Sequence, residues 1–327
     1  MKPYVLVLTH ELEANVDIVI PMIRKKETPV IRINTDQFPQ YLSLSLFFED
    51  NTFSFLTEDG IRLSAENIQS CWYRQPWGPN IKKEEAGGYG HLVKEESKAT
   101  IWSLSSTLDT FWMNSPSSVR LLDNNKFLQM KIADSVGFRT PASLITTNEF
   151  ELMEFCERHG GFVALKMISG RVFGSESPEK FDGVYTQKLS LRELRERAER
   201  IKICPVFAQE YVEKKLEARI TVVGKSIFPC AIYSQDSTKT LHDWRHYDFK
   251  NVKHEKLSIP DNISKGLRDF MERSNLSFGA FDFIITPQGE FVFLEVNTGG
   301  QWGWIEDLTG MPISETVADL LAHPSDL

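Results

Sequence analysis

The chain has 327 residues, 41% of them apolar and 25% charged, enough for a core spread over two or three domains and too apolar for intrinsic disorder, collagen or a disulfide miniprotein. Lys and Arg number 37 against 45 Asp and Glu, and the net charge of -8 argues against a broad phosphate-tracking surface, so no nucleic-acid partner is expected. No apolar run reaches the length of a membrane span and the opening MKPYVLVLTHE does not read as a signal peptide, so a cytoplasmic protein with no membrane partner is expected.

PYVLVLTH reads as a strand, NVDIVIPMIRKK as a helix and PVIRINTDQF as a second strand, a β-α-β order that predicts a small parallel sheet. Alternation from Tyr41 to Ser64 predicts antiparallel hairpins, and CWYRQP returns as a strand that stops at Pro76. A long helix is expected from about Glu84 to Leu108, and FWMNSPSS has the turn chemistry of a boundary. The next helix starts at Leu122-Asp123-Asn124-Asn125-Lys126, with two candidate caps, and runs to Gly137. NEFELMEFCERHG (helix), GFVALKMI (strand), the glycine- and serine-rich SGRVFGSES, GVYTQKL (strand) and LRELRERAERI (helix) make a small α+β unit. VFAQEYV, ARITVVGKSIFPCAIY and FGAFDFIITPQGEFVFLEVN are read as strands, the last two as hairpins, with NISKGLRDFMERS and ISETVADLLAH as helices. Cys71, Cys156, Cys204 and Cys230 include no CxxC pair and are expected to be reduced packing residues.

Glu295 and Asn297, two apart on an apolar strand, share a face, and the hairpin through Gly289 returns Asp282 nearly opposite them. Three oxygen-bearing side chains on such a sheet are costly to bury unless magnesium compensates them; the alternative is a pair of exposed edge-strand acids. Lys166 lies inside the apolar VALKMI, where an ammonium calls for an anion or else snorkels from an edge, and the glycine loop after it can fold over phosphates. Lys126, near a helix start, is a weaker signal. In QEYVEKKLEARITVVG, extended backbone over Glu210, Tyr211 and Val212 suits an adenine edge, Glu217 suits ribose hydroxyls and Arg219 a phosphate; a solvated charged hairpin is the other reading. His242 and His246, four apart around Asp243, would share a helix face as in zinc sites, or belong to a loop or lid.

Taken in order, Lys126, Lys166 with its glycine loop, QEYV, Glu217, Asp282, Glu295 and Asn297 resemble the ATP-grasp ligases, and GxxxxGK[ST] is absent. INTDQFP, CWYRQP, KKLEARITVVG, HDWR, FLEVNTGGQWGWIE and GMPIS extend the resemblance over nearly the whole chain to the graspetide, or microviridin-type, peptide macrocyclases. Two positions depart from the family pattern: Thr298 stands where proline is more usual, and Gln75 where a second arginine often follows WYR.

The resemblance implies a mixed α/β and α+β fold in three parts: a parallel-sheet amino-terminal domain over residues 1–115, a central lid domain over 116–206 that contacts a leader peptide, and a carboxy-terminal domain over 207–327. It implies ATP and two magnesium ions as cofactors, a ribosomal precursor peptide as partner and a homodimer. Asp282, Glu295 and Asn297 would hold metal, while Lys126, Lys166, Gln209 to Val212 and Glu217 would hold nucleotide. Arg219 and Arg245 would hold an acyl phosphate, and Asp243 would orient or deprotonate the nucleophile or else pin a loop with Arg245. Arg74 and Trp302 are candidates for peptide contact or for the core and the domain interface. The reaction implied is ω-ester closure between Asp or Glu side chains and Ser or Thr hydroxyls. ω-Amide closure on Lys, amino-acid ligation, a non-catalytic peptide binder and a zinc hydrolase are the alternatives.

Overall fold

The computed structural model describes residues 3–50, 52–56, 62–81, 87–168, 173–174, 181–182, 185–246 and 248–324. Most of the SGRVFGSES loop and the start of the expected helix at Glu84 lie outside them. The fold is mixed α/β, with one parallel and several antiparallel sheets.

β1 (Tyr4–Thr9), α1 (Ala14–Lys25) and β2 (Val30–Asn34) form the expected β-α-β unit, paired in parallel from Val5↔Val30 to Thr9↔Asn34. β3 (Ser43–Phe47), β4 (Thr52–Leu56) and β5 (Arg62–Ser64) are the antiparallel hairpins. β6 (Ile68–Tyr73) pairs in parallel with the other edge of β1, and α2 (Gly90–Thr107) follows. The boundary expected at FWMNSPSS is different: Phe111–Met113 is β7, a fourth parallel strand beside β6, and α3 (Pro116–Leu122) starts directly after it, capped by Ser115. Three residues are too few to display a strand period, so the turn chemistry of Asn114 to Ser118 hid it.

α4 (Lys126–Ser135) is capped by Asn125, and left-handed Asn124 (φ 61) separates it from α3. β8 (Ser143–Thr146), α5 (Glu149–Arg158), β9 (Phe162–Lys166), the short β10 (Phe173–Gly174) and β11 (Phe181–Asp182), β12 (Gln187–Ser190), α6 (Leu191–Arg197) and β13 (Val206–Glu210) make the central part. Its main sheet has the order β12-β9-β13-β8 and is packed by α5 and α6 through Leu152, Phe155, Leu194 and Val163. Cys71, Cys156 and Cys230 are buried, but Cys204 is exposed in the bend before β13 and does not pack.

The last sheet is built from β14 (Leu216–Val223), β15 (Ser226–Ile232), β16 (His254–Lys256), β17 (Phe278–Ile285) and β18 (Phe291–Asn297), in the order β16-β15-β14-β17-β18. α7 (Asp261–Arg273) packs on one face of it through Leu267 and Phe270, against Ile220, Phe281 and Phe283. The glycine-rich stretch after β18 winds into α8 (Gly303–Thr309), which the sequence reading left unassigned, and α9 (Ile313–Ala322) follows. α1 and α9 join the parallel sheet to the other face of the last sheet in one core containing Val7, Val19, Trp302, Val317 and Ile232. Among the described residues no helix is long and apolar enough to cross a membrane.

One glycine shows how closely the α7 face is packed. A Cβ on Gly266 would sit 2.4 Å from Phe138 Cε1, and the Phe138 ring is itself wedged edge-on to Phe283 at 5.2 Å. Overpacking costs about 1–3 kcal/mol and outweighs the ~1 kcal/mol gained in helix propensity. Gly266→Ala is therefore expected to lower the denaturation midpoint, and an unchanged or raised midpoint would refute this account of the packing.

Candidate active site

β14 and β17 alternate strictly between faces, and the alternation creates the site. Ala218, Ile220, Phe281 and Phe283 enter the apolar core under α7, which sends Glu217, Arg219 and Asp282 to the opposite face. Arg219 and Asp282 are register partners, and Arg219 Nη1 donates to Asp282 Oδ2 at 2.7 Å. Asp282 in turn lies opposite Glu295, and Ala280 opposite Asn297, because the ladder skips Leu294 between Phe283↔Phe293 and Asp282↔Glu295, and this register shift brings the three oxygen-bearing residues together. Asn297 Nδ2 donates to Asp282 Oδ2 at 3.0 Å, which directs the amide oxygen elsewhere.

Lys126 reaches this hairpin from a different element. Gln129, one turn further along α4, clips the helix to β18 by exchanging two 3.0 Å hydrogen bonds with the Val296 backbone. That clip brings Lys126 Nζ into an ion pair with Glu295 Oε2. Burial alone would raise the Glu295 carboxyl, but Lys126 and Arg245 overcome it and hold the group down to about 2. Asp282 goes the other way: its burial outweighs Arg219 and raises the carboxyl. Its Oδ1, buried, has no hydrogen-bond partner among the described residues. An all-oxygen set with one orphaned carboxylate oxygen fits a hard cation such as magnesium.

Lys166 ends β9 beside Phe207, and burial, reinforced by repulsion from Lys126, lowers its ammonium to about 8. The charged groups acting on it are Lys126, Glu295, Arg245 and Asp243, so β9 points its lysine at the acidic hairpin.

The HDWR segment sits in a 3-10 turn, Trp244–His246, and closes the cluster from the third side. Asp243 is buried and accepts from Arg245 Nε at 2.8 Å and Nη2 at 2.5 Å, and from the Thr186 amide at 3.0 Å. Burial acts to raise its carboxyl, but these bonds hold it well below the usual carboxylate range. Arg245, raised above its ordinary value by Asp243, also feels Glu295 and Asp282. His242 and His246 diverge: His242 Nδ1 lies 3.3 Å from Tyr211 Oη, and His246 stacks on Tyr185 at 3.7 Å. Their placement gives no shared zinc-binding face, and among the described residues no group of three His, Cys, Asp or Glu could hold a metal ion.

At the hinge, the side chain of Gln209 turns away from the cluster and donates to Ser143 Oγ at 2.9 Å. The Glu210 amide is taken by Ala142 O at 2.9 Å, and its carboxylate faces Arg139 and His159. The ladder of β13 stops there, leaving the backbone of Tyr211 and Val212 beyond it. A cavity of about 320 Å³ opens beside them, lined by Arg139, His159, Glu210, Tyr211, Val212 and Thr286 among others. Lys214 Nζ lies 3.1 Å from Glu217 Oε1, while burial raises the Glu217 carboxyl and its Oε2 has no partner among the described residues.

Residues 4–120 match the family described as the MvdD pre-ATP grasp domain. The whole chain is similar to a Chryseobacterium gregarium RiPP-associated ATP-grasp ligase in complex with ADP and a leader and core peptide, at 30% identity and a TM-score of 0.89, over 98% of this chain and 97% of that one. This chain belongs to the ATP-grasp ligases of the graspetide, or microviridin-type, macrocyclase family. Two macrocyclases from Microcystis aeruginosa align as fully with the ligase. MdnC, bound with precursor peptide MdnA, has 25% identity and a TM-score of 0.85 over 97% and 99% of the two chains; MdnB has 30% and 0.79 over 98% and 99%. No curated protein matches.

The ligase keeps Arg74 and Trp302 away from open surface. Trp302 is fully buried beside Trp72 and Phe278, with Nε1 donating to Ser314 Oγ at 3.0 Å, and Arg74 is 1% exposed with its guanidinium 4.7 Å over the Trp302 ring. Both belong to the interface between the parallel sheet and the last sheet, where peptide cannot reach them in this conformation. The turn after Asn297 lacks the family's proline, and side chains hold it instead. Thr298 Oγ1 donates to Asp123 Oδ1 at 2.8 Å, Asn114 Nδ2 donates to Thr298 O at 2.9 Å, and Gln75 Nε2 donates to Gly299 O. The sequence does not single out Asn114, Gln129 and Thr186, because each acts through a partner distant in the chain or through backbone, nor Lys214, whose pairing with Glu217 three residues on reads as part of a solvated charge run.

Proposed function

We propose that the ligase uses ATP to activate Asp or Glu side chains of a ribosomal precursor peptide as acyl phosphates and joins them to Ser or Thr hydroxyls. The observation that carries this is the convergence of Lys126, Lys166, Arg219 and Arg245 with Asp282, Glu295 and Asn297 on one patch between lid and hairpin. Asp282, Glu295 and Asn297 would hold magnesium, which when bound supplies charge neutralisation to the transferring phosphoryl group.

Lys126 and Lys166 grip the phosphate chain, the Tyr211–Val212 backbone takes the adenine edge, and Glu217 accepts from the ribose. A carboxylate repels an incoming hydroxyl. Transfer of the terminal phosphoryl group to it releases ADP and leaves an acyl phosphate with a good leaving group. Arg219 and Arg245 donate to the oxygens of that acyl phosphate and of the oxyanion formed on attack. The hydroxyl proton passes to the departing phosphate, which leaves as hydrogen phosphate, and the low carboxyl of Asp243 makes this residue an orienter of Arg245 rather than a strong base. The proposal extends to domains at 1–115, 116–206 and 207–327, leader contact on the central one, and a cytoplasmic homodimer, these resting on the family resemblance.

The test is intact-mass spectrometry of the Ser/Thr- and Asp/Glu-rich peptide encoded beside the gene, after incubation with the ligase, ATP and magnesium. Loss of one water per ring, reversed by mild base, is expected. Base-stable loss would replace ester by amide, mass gain would mean ligation of an added group, and an unchanged peptide would overturn the cyclase reading.

A further inference from the structure

We propose that the Glu13–Arg74 ion pair of the parallel-sheet part positions Arg219 for catalysis, acting through the Gly299–Gly300 turn. The inference rests on the reading of Arg219 as an acyl-phosphate ligand. Arg74 sits at the end of β6, and Glu13 just before α1, both 1% exposed. Arg74 Nε and Nη2 donate to Glu13 Oε1 at 3.2 and 3.1 Å, and Nη1 donates to the carbonyls of Gly299 at 2.7 Å and Gly300 at 3.1 Å. Glu13 also accepts from Gln301 Nε2 at 3.2 and 3.1 Å, and His10 Nε2 lies 3.4 Å from its Oε2. A buried ion pair needs its remaining donors satisfied, and here they are satisfied by the main chain of one turn.

The opposite side of that turn carries Arg219. A Cβ on Gly300 would lie 2.5 Å from Arg219 Nη2 and 2.5 Å from Ala280 Cβ, so the glycine backbone fills the space between two guanidinium groups. Among the described residues Arg219 makes one hydrogen bond, to Asp282, and its buried Nε has no partner. The rest of its guanidinium is held by packing, with the Trp244 ring centroid 5.8 Å from Cζ and Gly300 against Nη2. The Gly300 amide closes the turn onto Asn297 O at 3.3 Å, so a shift of Gly300 also displaces the strand end that carries Asn297.

A lysine at 74 keeps the charge opposite Glu13 and cannot bridge the carboxylate and two carbonyls at once. In the full-length ligase with the same peptide, Arg74→Lys is expected to lower kcat about tenfold or more, as small misplacements of a catalytic group do, with KM for ATP within about twofold. A merely structural role predicts the same loss whether or not Arg219 is intact. Positioning predicts that the loss nearly disappears in an Arg219→Lys background. Equal losses in both backgrounds, or no loss from Arg74→Lys, would overturn the inference while leaving the role of Arg219 standing. If Arg219→Lys itself cyclises at the wild-type rate, or wild type does not cyclise the peptide, the underlying reading fails and the inference with it. Should Arg74→Lys not accumulate as folded protein, Glu13→Gln, which keeps the shape and removes the charge, enters the same cycle with the same expectations.

Discussion

Replacing Glu295 with Gln is expected to lower the single-turnover rate of the proposed ring formation by about a thousandfold or more, since on the proposed mechanism the charge lost is one that would hold magnesium against the transferring group. The carboxylate is the meeting point of the cluster: Lys126 is paired to it, and Arg245 and Lys166 act on it from two other elements. An amide of the same size leaves those three cations facing one another with Asp282, and Asp243 already paired to Arg245, as the remaining nearby acids. Nucleotide binding responds differently from chemistry. The cations proposed to grip phosphate stay, so Glu295→Gln should still bind ADP without magnesium, and the gain in affinity that magnesium would give the wild type should vanish. Calorimetric titration of ADP with and without magnesium reads this directly. A variant that keeps the wild-type magnesium dependence would remove Glu295 from the metal set, whatever its turnover.

The hairpin that carries this prediction was legible in the sequence because its logic is local. Alternation within FVFLEVN puts Glu295 and Asn297 on one face, and the turn at Pro287 to Gly289 returns Asp282 nearly opposite them, while the exact pairing of Asp282 with Glu295 comes from a register shift at Leu294 that alternation does not show. Contacts made across the chain were not legible. Lys126 lies 169 residues from Glu295 and reads as a solvated lysine until the Gln129 clip is seen. The partnership of Arg219 with Asp282 depends on β14 pairing with β17, which no local pattern specifies. Arg74 looked equally suited to peptide contact and to an interface, because burial is decided by Glu13, Gly299 and Trp302 arriving from elsewhere. β7 and α8 were missed for a simpler reason: three residues, or seven beginning in a glycine-rich stretch, show too little period to outweigh their turn chemistry.

The affinity of the ligase for ADP is expected to be level below about pH 8 and to fall by up to about tenfold per pH unit above it. The cause is Lys166, whose ammonium burial brings down to about 8, with Lys126 and Arg245 repelling it and Glu295 and Asp243 opposing them. In the proposed nucleotide site bound phosphates would place anionic oxygens against that ammonium and favour the charged form, so its pKa is expected to be higher in the complex than in the free ligase. Below the free value both states carry the proton and pH has no leverage. Above it the free ligase has lost the proton and binding must take one up, which costs about 1.4 kcal/mol per pH unit until the higher pKa of the complex is reached. Lys166→Arg keeps its charge throughout this range and should bind with no such fall. Lys166→Met should bind about a hundredfold more weakly at pH 7, also without the fall, because a charge-assisted contact has been removed. Titration calorimetry of ADP at a series of pH values separates the cases. A flat wild-type profile, or a fall that persists in Lys166→Arg, would place the phosphates away from this lysine.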